Sequence, residues 1–161
     1  EKILGSRNVT VEIFVDADGC PVKWEVLRVA KRLDLKVFLV ANTWQKFPAD
    51  GRCESIVVDG GMDAADLWIA EHITGRDVCI TADIPLAAAC LKKDAAVMSP
   101  RGHAFNPESI GDALASREIL GQLREQGQVM GGPRPFEAKD RSRFLSRLDT
   151  ILEKKLRSGQ R

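Results

Sequence analysis

Short apolar stretches alternate along the first hundred residues with segments whose apolar positions recur at helical spacing. Residues 9–17 ("VTVEIFVDA") begin by alternating and then become continuously apolar, as a central strand does. Further strands are predicted at 35–41 ("LKVFLVA"), 54–59 ("ESIVVD"), 77–81 ("DVCIT") and 95–99 ("AAVMS"). Helices are predicted from 21 to about 33, from about 63 to 73, and from near 85, where a proline suits the first turn.

This order of elements predicts an α/β fold, a three-layer α/β/α sandwich whose mostly parallel, Rossmann-like sheet has four or five strands. Two helices after residue 105, the second at about 138–156, form a C-terminal helical extension. Between them, "GGPRPF" at 131–136 is too rich in glycine and proline for regular structure. We expect a single domain over residues 9–157. Residues 1–8 have no place in this sheet and are expected to be disordered or left over from expression.

Composition excludes several classes of protein. The 161 residues are 44% hydrophobic and 29% charged, which is ordinary for a soluble globular domain. No apolar run approaches the roughly 20 residues that span a bilayer, and the features of a signal peptide are absent. We therefore expect a cytoplasmic protein with no membrane partner. The pattern gives no indication of its oligomeric state.

The cysteines do not indicate zinc. The four cysteines include no Cys-x-x-Cys pair, and only two histidines accompany them. Cys20 precedes Pro21 near a predicted helix N-terminus, where the helix dipole would lower the pKa of the thiol. Since no histidine lies nearby in sequence to act as its base, packing or capping is the favoured role of Cys20.

Charge is distributed unevenly along the chain. Residues 1–133 hold 15 Lys+Arg against 19 Asp+Glu, a net −4, whereas residues 134–161 hold 9 against 4, a net +5. Such a chain could bind a cation in one place and phosphates in another, although a solvated helix face explains the basic segment equally simply. The basic residues at the start of this segment are Arg134, Lys139, Arg141 and Arg143.

Five aspartates follow predicted strands or open the helices after them. They are Asp16, Asp18, Asp63, Asp66 and Asp83. Because the carboxyl ends of parallel strands meet at one edge of the sheet, where ligands bind in such folds, we expect these side chains to lie together. Gathered carboxylates repel one another, and Mg²⁺ or Mn²⁺ is the usual neutraliser. The pattern predicts an oxygen-rich metal site suited to phosphate chemistry.

Each aspartate also has a local explanation. Asp63 and Asp83 precede helices and are candidate N-caps, and Asp18 before Gly19 is a candidate turn residue. The metal hypothesis therefore depends on their coincidence at one edge. Asp63 and Asp66, three residues apart, would share a helix face.

Seven segments together resemble the bacterial YaiI/YqxD family over about residues 11–150. In chain order they are "VDADGCPVK", "VAN", "GMDAADLWI", "TADIPLAA", "SPRG", "GGPRPF" and "KDRSRFL". The resemblance implies a fold similar to PIN-like nucleases, with acidic residues at strand ends that bind magnesium or manganese and cleave RNA. It implies catalytic roles for Asp16 and Asp83, with Asp63 or Asp66 at the intermediate position and Asp18 assisting.

In such a site the metal ions carry charge and activate water while the aspartates act as ligands. Thr81 and Asn42, at strand ends, would position phosphate or a metal-bound water. The phosphate contacts expected elsewhere come from Arg101 in "SPRG" and from the basic segment, namely Arg134, Lys139, Arg141 and Arg143.

Two alternatives remain open at this point. "FVDADGC" is similar to the first motif of haloacid dehalogenase-type phosphatases, in which Asp16 would be the nucleophile and Asp18 the general acid. The later motifs fit that class poorly. The second alternative is a non-catalytic RNA-binding or scaffold domain that keeps the fold and lacks turnover.

Overall fold

The computed structural model of the protein describes residues 10–46, 51–61, 63–125 and 134–158, and these contain a six-stranded sheet and five helices. Residues 1–8 and the first half of the "GGPRPF" segment, residues 131–133, lie outside the described part. The strands are β1 (Glu12–Asp16), β2 (Lys36–Ala41), β3 (Cys53–Val57), β4 (Val78–Ile80), β5 (Ala96–Met98) and β6 (Ala104–Phe105). The helices are α1 (Lys23–Leu33), α2 (Ala64–His72), α3 (Ile84–Leu91), α4 (Pro107–Glu125) and α5 (Ala138–Ser158).

The sheet has the order β3-β2-β1-β4-β5-β6, and its first five strands are parallel. The chain therefore reverses its direction of winding between β1 and β4, and ligands bind at such switch points in open α/β sheets. The expectation of four or five strands is wrong by one. The sixth strand has two residues and pairs antiparallel with β5, with Met98 opposite Ala104.

Both faces of the sheet are covered, which confirms the three-layer α/β arrangement. Alternate residues of β1 enter opposite cores: Ile13 and Val15 face one side, and Phe14 faces the other. The first core adds buried residues of α1 and α5, namely Val26, Val29, Ala30, Phe144, Leu148 and Leu152. The second adds buried residues of α2, α3 and α4, namely Ala65, Ile69, Leu86, Ala87, Cys90 and Ile110.

Helix α5 approaches the loop after β5 closely at one point. Gly102 has φ +90°, which side chains disfavour, and a Cβ built there would lie 2.6 Å from the carbonyl carbon of Arg143. Glycine thus lets the two backbones touch. This contact fixes the first turns of α5 at the edge of the sheet where the parallel strands end.

Helix α1 begins at Lys23, two residues later than predicted. The residues before it form turns, in which the Cys20 amide donates to the Ala17 carbonyl at 3.2 Å and Gly19 has φ +70°. The loop between β1 and α1 is therefore built from the "DADGCP" segment, and it lies at the carboxyl edge.

Candidate functional site

Three of the five aspartates predicted to form the site lie together at the carboxyl edge of the sheet. Asp16 ends β1, Asp83 caps α3 after β4, and Asp66 lies in the first turn of α2. All three side chains are half-buried. Their electrostatic influence on one another, described below, indicates that they form one group of carboxylates beside the switch point.

Thr81 connects two members of this group. Its buried hydroxyl donates to Asp16 Oδ2 at 2.9 Å, and its Oγ1 accepts from the Asp83 amide at 2.9 Å. Asp83 Oδ1 in turn accepts from the Leu86 amide at 2.8 Å, so the predicted N-cap of α3 is present. Thr81 thus orients Asp16 in this structure, and its predicted role in positioning phosphate or a metal-bound water stays a prediction. Burial raises the pKa of Asp16, and Asp83 and Asp18 raise it further, whereas the Thr81 hydrogen bond opposes them.

Asp66 is the carboxylate most affected by its neighbours. Burial, followed by the charges of Asp83, Asp16 and Asp63, raises the pKa of Asp66 to about 6, and a hydrogen bond to Asp83 acts in the same direction. From the sequence, Asp63 and Asp66 are both candidates for the intermediate position. In the structure, Asp66 is the one that lies with Asp16 and Asp83.

Asp63 and Asp18 lie at the border of the group and are exposed. Asp63 is the N-cap residue of α2 but makes no side-chain cap hydrogen bond. Asp18 holds the segment after β2 in place through three hydrogen bonds. Its carboxylate accepts from the Asn42 amide at 2.7 Å, from Gln45 Nε2 at 3.1 Å and from Thr43 Oγ1 at 3.3 Å. Asn42 is therefore engaged through its backbone in holding this loop.

The donor chemistry of the group fits a hard divalent cation, because Asp16, Asp66 and Asp83 offer only oxygen and repel one another. Among the described residues, however, no three aspartate, glutamate, histidine or cysteine side chains converge closely enough to hold a metal ion. The residues present thus suit Mg²⁺ or Mn²⁺ in kind, while their side chains would have to close further around the ion.

Three arginines surround one buried aspartate near the end of β5, at the same edge of the sheet. Asp140, fully buried on α5, accepts from Arg134 at 2.6 and 2.8 Å, from Arg101 at 3.1 Å and from Arg143 at 3.2 Å. The Arg134 hydrogen bonds hold the pKa of Asp140 well below its usual range, and the Glu137 amide adds to this effect. We call Arg101, Arg134 and Arg143 the arginine cluster.

The cluster carries excess positive charge at the carboxyl edge. Lys139 pairs at 3.4 Å with Glu137, which also lies 3.7 Å from Arg134. The cluster and Lys139 make four cations, and Asp140 and Glu137 make two anions, which leaves a net charge of +2. Since the side chains of the cluster are 25–46% exposed, their guanidinium groups retain donors for an anionic ligand.

Arg141 stands apart from the cluster. It donates to Glu25 Oε2 of α1 at 2.9 Å and lies over the Phe136 ring, 5.4 Å from its centroid. Of the five predicted phosphate-binding cations, three therefore share Asp140, whereas Arg141 joins α5 to α1 and Lys139 pairs with Glu137.

The pKa of the Cys20 thiol is raised, not lowered as expected near a helix N-terminus. Burial raises the pKa of its thiol to about 11, which outweighs the lowering by the Val22 backbone and by Lys23. The packing role is thereby favoured, and the expectation that the helix dipole lowers this pKa is wrong.

A cavity of about 500 Å³ opens at the opposite edge of the sheet, where β4 and β5 begin. Its lining includes Arg76, Phe105 and Lys155, and none of the candidate site residues. Among the described helices, none is both long and apolar enough to cross a membrane.

A family model and similar known proteins both assign the chain to one bacterial family. Residues 14–154 match the family described as "Uncharacterized BCR, YaiI/YqxD family". A UPF0178 protein of Rhodospirillum centenum is 53% identical over 146 residues, which cover 88% of this chain and 95% of the relative. UPF0178 proteins of Azorhizobium caulinodans and Brucella ovis are 46% and 49% identical, covering 97% and 93% of this chain and 98% and 94% of theirs. No solved structure matches the chain.

Proposed function

Because the chain belongs to the YaiI/YqxD family, which is described as uncharacterised, we propose a function from the site itself: metal-dependent hydrolysis of phosphodiester bonds, with RNA as the substrate. The observation that carries this proposal is the group of Asp16, Asp66 and Asp83 at the switch point, where burial and mutual repulsion raise the pKa values of Asp16 and Asp66. The resemblance to the YaiI/YqxD family implies a fold similar to that of PIN-like nucleases, which use acidic residues at this edge.

In this proposal Asp16, Asp66 and Asp83 hold Mg²⁺ or Mn²⁺. The bound ion would lower the pKa of a water molecule and neutralise charge on the scissile phosphate. Thr81 keeps the Asp16 carboxylate oriented, and the α3 amide of Leu86 does the same for Asp83. Asp63 and Asp18 supply negative charge at the border of the site.

The arginine cluster supports a phosphate polymer as the substrate. Its excess positive charge lies at the same edge of the sheet as the acidic group, so the cluster would bind phosphates that flank the one being cleaved. Arg101 and Arg134 are held by Asp140, which fixes their planes before substrate arrives. Lys139 and Arg141 would add a weaker, less oriented attraction.

The direct test is incubation of the purified protein with labelled single-stranded RNA, structured RNA and single-stranded DNA, each in Mn²⁺, Mg²⁺ or EDTA. We expect metal-dependent cleavage of RNA that falls on the order of 100-fold in Asp16→Asn and Asp83→Asn. Asparagine keeps the acceptor for Thr81 in the first variant and the N-cap in the second. Asp112→Asn, at an exposed position on α4, is the matched control.

Calorimetric titration with Mn²⁺ supplies a measurement that does not require turnover. Both site variants should bind Mn²⁺ more weakly than wild type and the Asp112→Asn control. Equal affinity in all four proteins would contradict the ligand assignment. Metal binding and RNA binding without cleavage of any substrate would instead favour a non-catalytic nucleic-acid-binding domain.

A further inference from the structure

Two tryptophan side chains are exposed at the carboxyl edge. Trp44 is 71% exposed and Trp24 is 50% exposed, although indoles are among the side chains that gain most from burial. The third tryptophan, Trp68, behaves in the usual way: its half-buried ring stacks on His72, with centroids 3.8 Å apart, and packs against the second core. The exposure of Trp24 and Trp44 therefore needs an explanation that the fold does not supply.

The backbone segments that carry these two indoles are fastened to each other. Trp24 lies in the first turn of α1, and Trp44 lies in the segment after β2. Lys23 Nζ donates to Gln45 Oε1, so the residues next to the two tryptophans are bonded. Gln45 Nε2 donates to the Ala17 carbonyl at 3.1 Å and to Asp18 at 3.1 Å. Asp18 thus presents Trp44 on a loop tied to the strand that carries Asp16.

Cations lie beside the indoles. Lys23 precedes Trp24, and Lys46 follows Trp44 after one residue. Glu25, the next residue of α1, accepts a hydrogen bond from Arg141, which connects this surface to the start of α5 and the arginine cluster. Aromatic and basic groups therefore follow one another along the edge that holds the carboxylates.

We propose that Trp24 and Trp44 form a base-stacking site for single-stranded nucleic acid. The inference rests on the proposed function, because it places the bases of the substrate beside the carboxylates that would cleave it. Stacked aromatic rings together with cations that track phosphates are the means by which proteins hold single strands. A duplex keeps its bases stacked inside the helix, so the indoles discriminate against it.

Binding is measured in EDTA, where no hydrolysis occurs, by fluorescence anisotropy of a labelled 12-nucleotide uridine RNA, with a 12-base-pair RNA duplex for comparison. Wild type should prefer the single strand, and binding should quench tryptophan fluorescence. Trp44→Ala and Trp24→Ala should each weaken binding about 5- to 100-fold, the usual effect of losing one stacked base. Trp44→Phe should recover part of the affinity, and Leu114→Ala, at an exposed leucine of α4, should leave it unchanged.

The outcomes separate this inference from hydrolysis. Wild-type affinity in both alanine variants, absence of quenching, or a preference for duplex would each overturn the stacking site, even if cleavage in Mn²⁺ is observed. Loss of self-association in these variants, seen by sedimentation with RNA binding intact, would assign the indoles to a protein contact and also overturn it. Quenching and weakened variants without cleavage in Mn²⁺ would support the stacking site and contradict the proposed hydrolysis.

Discussion

Replacing Asp66 with asparagine should stabilise the protein at alkaline pH when no metal is present. The folded-state pKa of Asp66, about 6, lies above the ordinary value of 3.8, so the folded protein holds this proton more tightly than the unfolded chain. The stabilisation that comes from this tighter proton binding is fully present below about pH 4 and is lost as the pH rises through about 6. At pH 8 the ionised Asp66 therefore opposes folding, whereas asparagine is neutral and still donates a hydrogen bond to Asp83.

The size of the effect follows from the pKa. The rise in the pKa of Asp66 from 3.8 to about 6 corresponds to about 3 kcal/mol in the free energy of unfolding, since a tenfold change in proton affinity is worth about 1.4 kcal/mol. The Asp66 side chain is only partly buried, and solvent screens its repulsion from Asp16 and Asp83, so about 1–2 kcal/mol is the expected gain at pH 8. In a chain of 161 residues that is a rise of roughly 2–8 °C in Tm.

Urea denaturation in EDTA at pH 8 and at pH 4 measures this gain directly. The difference between Asp66→Asn and wild type should be large at pH 8 and close to zero at pH 4, while Asp112→Asn should match wild type at both. Added Mn²⁺ should stabilise wild type more than the variant, because the variant has lost a ligand. A variant that is equally or less stable than wild type at pH 8 would refute the repulsion among these carboxylates.

Three further predictions concern the surroundings of the site. Gly102→Ala should lower the free energy of unfolding, measured in urea, by about 2–4 kcal/mol, because alanine is strained at this positive φ and its Cβ would clash with Arg143. Gly111→Ala on α4 is the control: a Cβ there meets nothing within 4 Å, so this variant should be as stable as wild type or more stable. Asp140→Asn should lower Tm at pH 7, and the gap should close only in strong acid, because the depressed pKa keeps wild-type Asp140 ionised and stabilising until the pH falls through it. The Cys20 thiol, with a pKa of about 11, should resist alkylation at pH 8 in the folded protein, as peptide mapping by mass spectrometry after iodoacetamide would show.

The parallel core of the sheet was predictable because its strands carry strong apolar patterns. The segment around Phe14 is bounded by turn signals and is apolar on both faces, which only a central strand requires. The sixth strand could not be predicted, because Ala104 and Phe105 are too few to show a period. Their pairing depends on the turn from Ser99 to His103, in which the Ser99 amide donates to the His103 carbonyl at 2.9 Å.

The edge that holds the aspartates was also predictable, but their individual roles were not. Which of Asp63 and Asp66 turns toward Asp83 depends on the rotation of α2 about its axis, which tertiary packing sets. Asp18 bonds residues 24 or more positions away, and Asp140 collects Arg101 from 39 positions away. Spacing in sequence contains no direct signal of such distant partners.

The order of synthesis gives the contact between Gly102 and α5 a further meaning. All six strands and the three aspartates of the site are synthesised before Arg134 and Asp140. Until α5 is added, the sheet face that Phe144 covers is open to water, and Arg101 lacks the Asp140 carboxylate that orients it. The segment from Arg134 onwards therefore both closes the first core and completes the arginine cluster.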